Sequence, residues 1–297
     1  MKEKIKKLAR EKNAIILAHN YEPAEIQDIA DLCGDSLELS IKASETNADI
    51  IVFCGVHFMA ETAKILSFHK KVLLPNPESG CPMADMVKPE DLLKKKAELN
   101  NIPVITYVNS SAAVKAISDI CCTSANVVEI VNNIESDEVL MTPDKNLARF
   151  AASHTNKKIH LWEGYCPFHN SMTKKDAIDA KEKNKNAVLI AHPECPPEVL
   201  EVADEIASTS GMIKIAKKSR FKEFIIATEA GHIYPLQKAC PDKIFHLASE
   251  KIYCEDMKKI SLEQILYSLE SGYGEIFVPE DIRNNALKSV EKMLGKK

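Results

Sequence analysis

Glycine is scarce in this chain of 297 residues, with nine in all, and neither a GxGxxG nor a GxxxxGK pattern occurs. A glycine-rich loop that cradles phosphate groups is therefore not expected. Arginine is scarcer still, with four residues among the 39 basic ones, and the lysines are interspersed with acidic residues at a net charge of −4. Without a basic stripe and interleaved aromatic residues, nucleic acid is not an expected partner.

Long apolar runs are also lacking at the start of the chain. The charged segment MKEKIKKLAREKN is followed by an apolar run of five residues, Ala14 to Ala18, without a small-residue cleavage site. We therefore expect neither a secretory signal nor a membrane span, and we expect a cytoplasmic protein. Thiols stay reduced in the cytoplasm, so the nine cysteines are expected to pack or to do chemistry rather than to form disulfides.

A threefold internal repeat is the main positive feature of the sequence. Short apolar runs alternate with helical periods, which predicts α/β units with parallel strands. Three strand ends read LAHNYE, TYVNSS and AHPECP, and they place His19, Tyr107 and His192 at intervals of 88 and 85 residues. Hydroxyl residues that precede helix-like segments recur at the same intervals, namely Ser36, Ser124 and Thr209. The sequence therefore predicts three homologous units.

Each unit is expected to be a small open sheet flanked by helices. Two further strands recur in every unit, DIIVFCG, EVLMTPD and EFIIATEAG first, then KKVLLP, KKIHLW and DKIFHL. The predicted boundaries are 1–86, 87–172 and 173–258, with 259–297 as a C-terminal helical appendage. In such sheets ligands gather at the carboxyl ends of the strands, so we expect the site there.

Three cysteines close the three units, Cys81, Cys166 and Cys254, at intervals of 85 and 88 residues. No CxxC pair occurs, so the geometry that remains is one ligand from each unit, meeting on a pseudo-threefold axis. Three thiolates suit a cubane iron–sulfur cluster with one iron free of protein ligands, and they suit a zinc ion with an open position almost as well. Three unrelated core cysteines are the other possibility. Cys33, Cys54 and Cys240 are interpreted as packing residues. Cys121, Cys122 and Cys195 lie next to the polar strand ends and are interpreted as wall residues, with a redox-sensitive role as the alternative.

Polar side chains at equivalent strand ends should converge on the same axis. They can transfer protons and donate hydrogen bonds, which predicts a catalytic set: His19 and Tyr21, Tyr107 and Asn109, His192 and Glu194. The hydroxyl residues before the helices, Ser36, Ser124 and Thr209, are either ordinary N-caps or part of an anion site at inward-pointing helix N-termini, and both can hold together.

These motifs resemble the quinolinate synthase family. LAHNYE, GDSLELS, ESGCPMAD, TYVNSSAAVK, CTSANVVEIV, WEGYCPFH, HPEC and TSGM carry the resemblance through almost the whole chain. It implies three pseudo-threefold-related, three-layer α/β/α domains around a central [4Fe–4S] cluster. It also implies condensation of iminoaspartate with dihydroxyacetone phosphate to give quinolinate, phosphate and two waters. Carried over by position, the cluster ligands are Cys81, Cys166 and Cys254, and the substrate site comprises His19, Ser36, Tyr107, Val108, Asn109, Ser124, His192, Pro193, Glu194 and Thr209, with Tyr21 beside them.

The resemblance suggests a role for each group. An iron without a cysteine would act as a Lewis acid in dehydration. Glu194 is expected to be the main proton acceptor and donor. Tyr21 and His19 are expected to polarise a carbonyl and shuttle protons, while Asn109 and Tyr107 orient the intermediate. The hydroxyl residues would hold carboxylates or phosphate. The expected partners are these small-molecule substrates, with a functional link to the enzyme that supplies iminoaspartate.

Two other functions compete with this interpretation. A zinc-dependent hydrolase or aldolase could use the same three cysteines with His192 or His19 nearby. An iron–sulfur sensor or carrier would need the cysteines but not the acid–base residues at the strand ends. The chain also departs from longer family members, which carry a CxxCxxC segment around the third ligand, since Cys254 stands alone in YCEDMKK.

Overall fold

Each of the three repeats forms its own sheet of four parallel strands in the computed structural model, which describes residues 1–295. In every sheet the first strand lies between the second and the third, and the fourth lies beside the third. The strands are β1 (Ala14–His19), β2 (Leu32–Gly34), β3 (Ile50–Cys54), β4 (Lys71–Leu73), β5 (Val104–Tyr107), β6 (Ile120–Cys122), β7 (Glu138–Thr142), β8 (Lys158–Leu161), β9 (Val188–Ala191), β10 (Glu205–Ile206), β11 (Glu223–Ala227) and β12 (Ile244–Leu247).

Helices flank the three sheets, which confirms the predicted α/β fold. They are α1 (Lys2–Glu11), α2 (Ala24–Gln27), α3 (Ser36–Glu45), α4 (His57–Leu66), α5 (Pro89–Glu98), α6 (Ala112–Ala116), α7 (Val127–Asn133), α8 (Lys145–Ala152), α9 (Pro167–Asn170), α10 (Lys174–Lys183), α11 (Pro197–Leu200), α12 (Thr209–Lys218), α13 (Ile233–Ala239), α14 (Leu262–Ser271) and α15 (Glu280–Met293). Short 3-10 turns cover Ala84–Met86, Ala230–His232 and Glu255–Lys258. Within residues 1–295, no helix has both the length and the hydropathy needed to cross a membrane.

The first and third strands of each unit are buried along almost their whole length. Their sequences, such as AIILAH and IIVFC, are nearly continuous apolar runs, as expected for parallel strands covered on both faces. The second strand of each unit has only two or three residues. Unlike the equally short β4, whose residues continue as the apolar run VLLP, these strands directly follow an aspartate and add no recognisable apolar run, so only the other three strands of each unit were predicted.

An aspartate directly before the second strand ties each sheet together. Its carboxylate accepts the backbone N–H of the first strand at 2.8 Å in all three units. Its own backbone N–H donates to the carbonyl oxygen of the same strand residue. The three aspartates are Asp31, Asp119 and Asp204, again 88 and 85 residues apart. The repeat therefore extends to the hydrogen bonds that register the strands.

A lysine directly before the fourth strand, buried in the first and third units and half-buried in the second, caps a helix in each unit. The ammonium groups of these lysines donate to carbonyl oxygens at the C-terminal ends of α3, α7 and α12, and the three residues are Lys70, Lys157 and Lys243. Lys243, for example, donates to the carbonyl oxygens of Ala216, Ser219 and Phe221. The last carbonyls of a helix have no intrahelical partner, and a cation there also interacts favourably with the helix dipole.

The C-terminal helices pack against the first and second units. Helix α14 contacts α1 and β3, and α15 contacts α4, α6 and β6. In this interface the hydroxyl of Ser289 is fully buried and donates to the backbone carbonyl of Lys115 at 2.8 Å. The boundaries proposed at residues 86, 172 and 258 stay a prediction. The last two residues of the predicted appendage, Lys296 and Lys297, lie outside the described residues.

Replacing the capping lysine of the third unit should destabilise the fold. In Lys243→Met, three backbone carbonyls lose a buried donor, and we expect the free energy of unfolding to fall by about 1–3 kcal/mol. The matched control is Lys222→Met, because Lys222 is exposed and pairs with Asp242 at the surface. That change should cost less than about 1 kcal/mol. Urea denaturation followed by circular dichroism measures both; equal losses would show that the cap is not important for stability.

Candidate functional site

The carboxyl ends of β1, β5 and β9 face a common cavity of about 710 Å³, a volume that includes its open mouth. Because its lining comes from all three units, the cavity lies where the units meet. The structure brings nine of the predicted polar residues together in this lining: His19, Tyr21, Ser36, Tyr107, Asn109, Ser124, His192, Glu194 and Thr209. The three cysteines Cys81, Cys166 and Cys254 line the same cavity.

Val108 and Pro193 are the two predicted substrate-site residues that are not among the described residues lining the cavity. Both are buried, each directly beside residues that do line it. The backbone N–H of Val108 donates to the carbonyl oxygen of Cys122 at 2.9 Å, which continues the pairing of β5 with β6. The side chains of Val108 and Pro193 therefore pack behind the lining, and a substrate would meet their neighbours.

Two of the predicted hydroxyl residues do not cap the helices that begin with them. Ser36 and Thr209 are the first residues of α3 and α12, whereas the N-caps are Asp35 and Ser208. The expectation that Ser36 and Thr209 cap these helices is therefore wrong, because their neighbours already accept the free backbone N–H groups. Ser124 lies ahead of α7 and its hydroxyl is 3.2 Å from Nε2 of His192.

The two equivalent histidines present the same ring nitrogen to the cavity. Nδ1 of His19 accepts the backbone N–H of Tyr21 at 3.2 Å, and Nδ1 of His192 accepts that of Glu194 at 3.4 Å. The pKa of each histidine is lowered to about 3, and burial is the largest cause. At neutral pH both rings are therefore neutral, with the hydrogen on Nε2. Each is a donor for an oxygen atom in the cavity.

A chain of hydrogen bonds joins Glu194 to Tyr21 across all three units. Nδ1 of His169 lies 2.8 Å from Oε2 of Glu194, and its Nε2 lies 2.8 Å from the hydroxyl of Thr228. That hydroxyl is 2.6 Å from the hydroxyl of Tyr21. All four side chains are buried. The chain therefore links a carboxylate and a phenol, both lining the cavity, through two intermediate groups.

Within this chain of hydrogen bonds, the electrostatics favour a charged Glu194 and neutral tyrosine side chains. Burial alone would raise the pKa of Glu194, but His169 and His192, together with hydrogen bonds from His169 and Tyr107, outweigh it and lower the pKa. For Tyr21 and Tyr107, burial and then the nearby Glu194 raise the pKa well above its usual value. Both phenols therefore keep their hydrogens and can donate them.

Sequence reasoning missed His169 and Thr228. His169 stands three residues after Cys166 on α9, and Thr228 directly follows β11, so both were within reach of the motifs YCPFH and EFIIATEAG. The available signal was position, since polar residues at strand ends and near a ligand cysteine are candidates. Neither residue recurs at the repeat interval, however, because the equivalent of Thr228 in the second unit is Pro143.

Each of the three cysteines stands immediately before a helical turn. Cys166 and Cys254 are the N-cap residues of α9 and the 3-10 turn Glu255–Lys258, and the carbonyl oxygen of Cys81 accepts the N–H of Ala84. All three thiols are free. Burial raises the pKa of Cys81 and Cys254 to about 12 and that of Cys166 well above its usual value. Such thiols ionise only when a cation binds them.

Comparison with known proteins agrees with this arrangement. The model of the family described as "Quinolinate synthetase A protein" matches residues 3–295. The chain belongs to this quinolinate synthase family. The quinolinate synthase of Geobacter metallireducens is 52% identical over 295 residues, which cover 99% of this chain and 97% of that protein. Quinolinate synthase 1 of Methanosarcina acetivorans is 52% identical with the same coverage. That of Desulforudis audaxviator is 49% identical over 292 residues, which cover 98% and 96% of the two chains.

Membership of the quinolinate synthase family confirms the resemblance drawn from the motifs. It also confirms the prediction of an enzyme of NAD biosynthesis. The residues present fit a metal centre in two ways. The three free thiols form a sulfur-only donor set in one cavity, as an iron–sulfur cluster requires. A second set, Cys166, His169 and Glu194, has ligand atoms within 4.8 Å of one another and mixes sulfur, nitrogen and oxygen as zinc sites do.

The buried histidine behind Tyr21 should make the fold acid-sensitive. Burial, followed by His19 and His192, lowers the pKa of His232 to about 3, so this ring stays neutral in the folded protein. The unfolded chain binds a proton at this position below about pH 6.5. A base whose folded pKa is lowered contributes stability that is lost as the pH falls below the unfolded value.

We therefore expect the wild type to lose stability relative to His232→Gln as the pH falls from about 6.5 to 4.5, by up to about 1.4 kcal/mol per pH unit. Urea denaturation of the metal-free proteins across this range measures the difference. His69→Gln, at an exposed histidine, is the control and should follow the wild type. A difference between wild type and His232→Gln that does not vary with pH would contradict the prediction.

Proposed function

We propose that this chain condenses iminoaspartate with dihydroxyacetone phosphate to give quinolinate, phosphate and two waters. We also propose that Cys81, Cys166 and Cys254 hold a [4Fe–4S] cluster. The observation that carries the proposal is that one free thiol from each unit lines the same cavity as the histidines, tyrosines and Glu194. The relatives named quinolinate synthase support it further.

Three thiolates leave one iron of a cubane without a protein ligand. When bound, the cluster would supply a Lewis acid that polarises a leaving hydroxyl, so no electron transfer is needed. The cavity beside the cysteines also carries apolar side chains, among them Phe58, Met59 and Met83. These exclude water, and in a dry site each polar contact with a substrate is stronger than in solvent.

Oxygen atoms of the substrates would be held by hydroxyls and by imidazole donors. Ser36 and Thr209 are the first residues of α3 and α12 and line the cavity, so their hydroxyls can donate hydrogen bonds to a carboxylate or phosphate. Ser124 and Nε2 of His192 face each other at 3.2 Å, so an oxygen could accept from both. This arrangement supplies an anion site without a glycine-rich loop.

Proton transfer is assigned to Glu194 together with His169. The lowered pKa of Glu194 makes the lone carboxylate a weak base, but His169 is hydrogen-bonded to it and can share the proton. Thr228 extends the chain to the hydroxyl of Tyr21, which can donate to a carbonyl oxygen. Tyr107 orients Glu194 by a hydrogen bond, and Asn109 adds an amide to the same wall.

The partners of the proposed enzyme are small molecules. Iminoaspartate is an imine and hydrolyses in water, so a functional link to the enzyme that supplies it would shorten its exposure to solvent. Cytoplasmic location remains our prediction from the sequence. Nucleic acid and membrane stay outside the expected partners.

A second candidate function is a zinc-dependent hydrolase or aldolase. The observation that favours it is the mixed donor set of Cys166, His169 and Glu194, whose geometry suits a mononuclear zinc ion. The two candidates differ in which residues hold the metal, because Glu194 is a ligand in one and a proton carrier in the other. That difference can be measured directly.

The first test is an assay for quinolinate under anaerobic conditions. Wild-type protein with a reconstituted cluster should be brown and should form quinolinate from iminoaspartate and dihydroxyacetone phosphate. Cys166→Ser should lose activity and most of its iron. Cys33→Ser is the matched control, because Cys33 does not line the cavity among the described residues. Its thiol donates to the carbonyl oxygen of Gln27, and the hydroxyl of the introduced serine can donate in its place. A colourless wild-type protein with one zinc ion would refute the proposal.

The second test separates the two metal sites. Under the cluster hypothesis, Cys254→Ser should lose iron, whereas Glu194→Gln should keep it and lose about 100-fold to 10,000-fold in turnover. A zinc ion held by Cys166, His169 and Glu194, rather than by the three cysteines, predicts the opposite pattern of metal loss, since Glu194 would be a ligand and Cys254 would not. Metal analysis and steady-state rates give both quantities. Glu201→Gln, at an exposed glutamate, controls for the change of charge.

A further inference from the structure

Two buried carboxylates occupy equivalent positions in the second and third units. Asp144 stands two residues after the end of β7, and Glu229 stands two residues after the end of β11, 85 residues later. Their exposed fractions are 2% and 1%. Desolvating a carboxylate is costly unless donors satisfy its oxygens, so the partners of these two groups are informative.

In each carboxylate one oxygen accepts an N–H of a local turn and the other accepts the N–H of a cysteine of the cavity, and Oε2 of Glu229 also pairs with the ammonium group of Lys258 at 3.0 Å. Oδ1 of Asp144 accepts the N–H of Leu147 at 2.6 Å, and its Oδ2 accepts the N–H of Cys166 at 3.0 Å. Oε2 of Glu229 accepts the N–H of Gly231 at 2.7 Å, and its Oε1 accepts the N–H of Cys254 at 3.2 Å. A helix cap alone would need only the first oxygen in each case.

In the first unit, the carboxylate that accepts a backbone N–H beside the cysteine comes from the third unit. The position equivalent to Asp144 is Val56, which offers no carboxylate. Instead the N–H of Gly80, next to Cys81, donates to Oδ1 of Asp256 at 3.3 Å. Asp256 is fixed by an ion pair with Lys259 at 2.7 Å. In each unit, therefore, one carboxylate accepts the backbone N–H of the cysteine or of the residue before it. For the cysteine of the first unit, that carboxylate belongs to the third unit.

We propose that Asp144, Glu229 and Asp256 are positioning residues of the metal centre, each fixing the backbone that carries one cysteine. The inference rests on the proposed function, because it takes the three cysteines to be the cluster ligands. A carboxylate that holds the N–H of a ligand residue, or of its neighbour, sets the direction of the Cα–Cβ bond and so the place of the sulfur. Residues that orient metal ligands typically change metal affinity by roughly 10-fold to 100-fold when they are replaced.

The test uses the full chain with amide variants of the three carboxylates: Asp144→Asn, Glu229→Gln and Asp256→Asn. An amide keeps one of the two acceptor oxygens and places an NH2 group, which is a donor, opposite the other backbone N–H. The matched controls are Asp119→Asn and Asp204→Asn, since these carboxylates also accept a backbone N–H but at the opposite ends of the sheets. Asp256 is partly exposed, so its variant should fold even if a buried one does not.

Three quantities are measured: iron and sulfide per chain after anaerobic reconstitution, the rate at which a chelator removes iron, and the thermal midpoint of the metal-free protein. We expect each positioning variant to lose iron to the chelator roughly 10-fold to 100-fold faster than the controls. We also expect its metal-free midpoint to stay with that of the controls. Rates equal to those of the controls would refute the inference, as would faster loss that is matched by a lower metal-free midpoint.

The wild type decides separately about the proposed function. If it takes up four irons with sulfide and makes quinolinate, the proposed function stands whatever the variants do. If it takes up zinc or no metal, the proposed function fails and this inference fails with it. The two failures are therefore distinguishable from the same set of samples.

Discussion

The site depends on one geometric constraint, which is that parallel strands place all their carboxyl ends at the same edge of a sheet. Three such edges meet here, so His19, Tyr107 and His192 face one cavity although 88 and 85 residues separate them in sequence. No single unit could build the site, because each contributes one cysteine and only part of the acid–base set. Docking of the three units is thus a condition for chemistry.

The repeats have kept their framework and changed their strand ends. Asp31, Asp119 and Asp204 make the same 2.8 Å bond in every unit, and the capping lysines are equally regular. At the cavity, by contrast, Val56 stands where the other units have Asp144 and Glu229. This contrast has a physical reason. The framework bonds hold the same pair of strands together in every unit, whereas a site that binds an asymmetric substrate needs different side chains from each unit.

Much of the fold and of the candidate site could be predicted from the sequence, because a repeat period and the polar residues at strand ends can both be recognised in the sequence itself. The period locates the cysteines, and the strand ends locate Glu194. His169 and Thr228 were missed because neither recurs at the repeat interval and their contacts are made between units, so position beside a strand end or a cysteine was the only signal. The second strands were missed because they are short and, unlike β4, are not part of a recognisable apolar run. The caps of α3 and α12 were misplaced by one residue, because two capping residue types are adjacent in each motif: Asp35 and Ser36 before α3, Ser208 and Thr209 before α12.

The cavity gathers groups that are costly to bury together. It holds a carboxylate with a lowered pKa, neutral imidazoles and thiols whose pKa is raised by burial, all close to one another. A folded state optimised only for stability would fill this space with apolar side chains. Anything that binds the folded state alone stabilises it by mass action, with the logarithm of its concentration over its dissociation constant, so under the proposed function a metal centre and a substrate would offset this cost. The framework bonds lie at the far ends of the sheets, so stability of the units and the desolvated acid–base groups of the cavity are provided by different parts of the same fold.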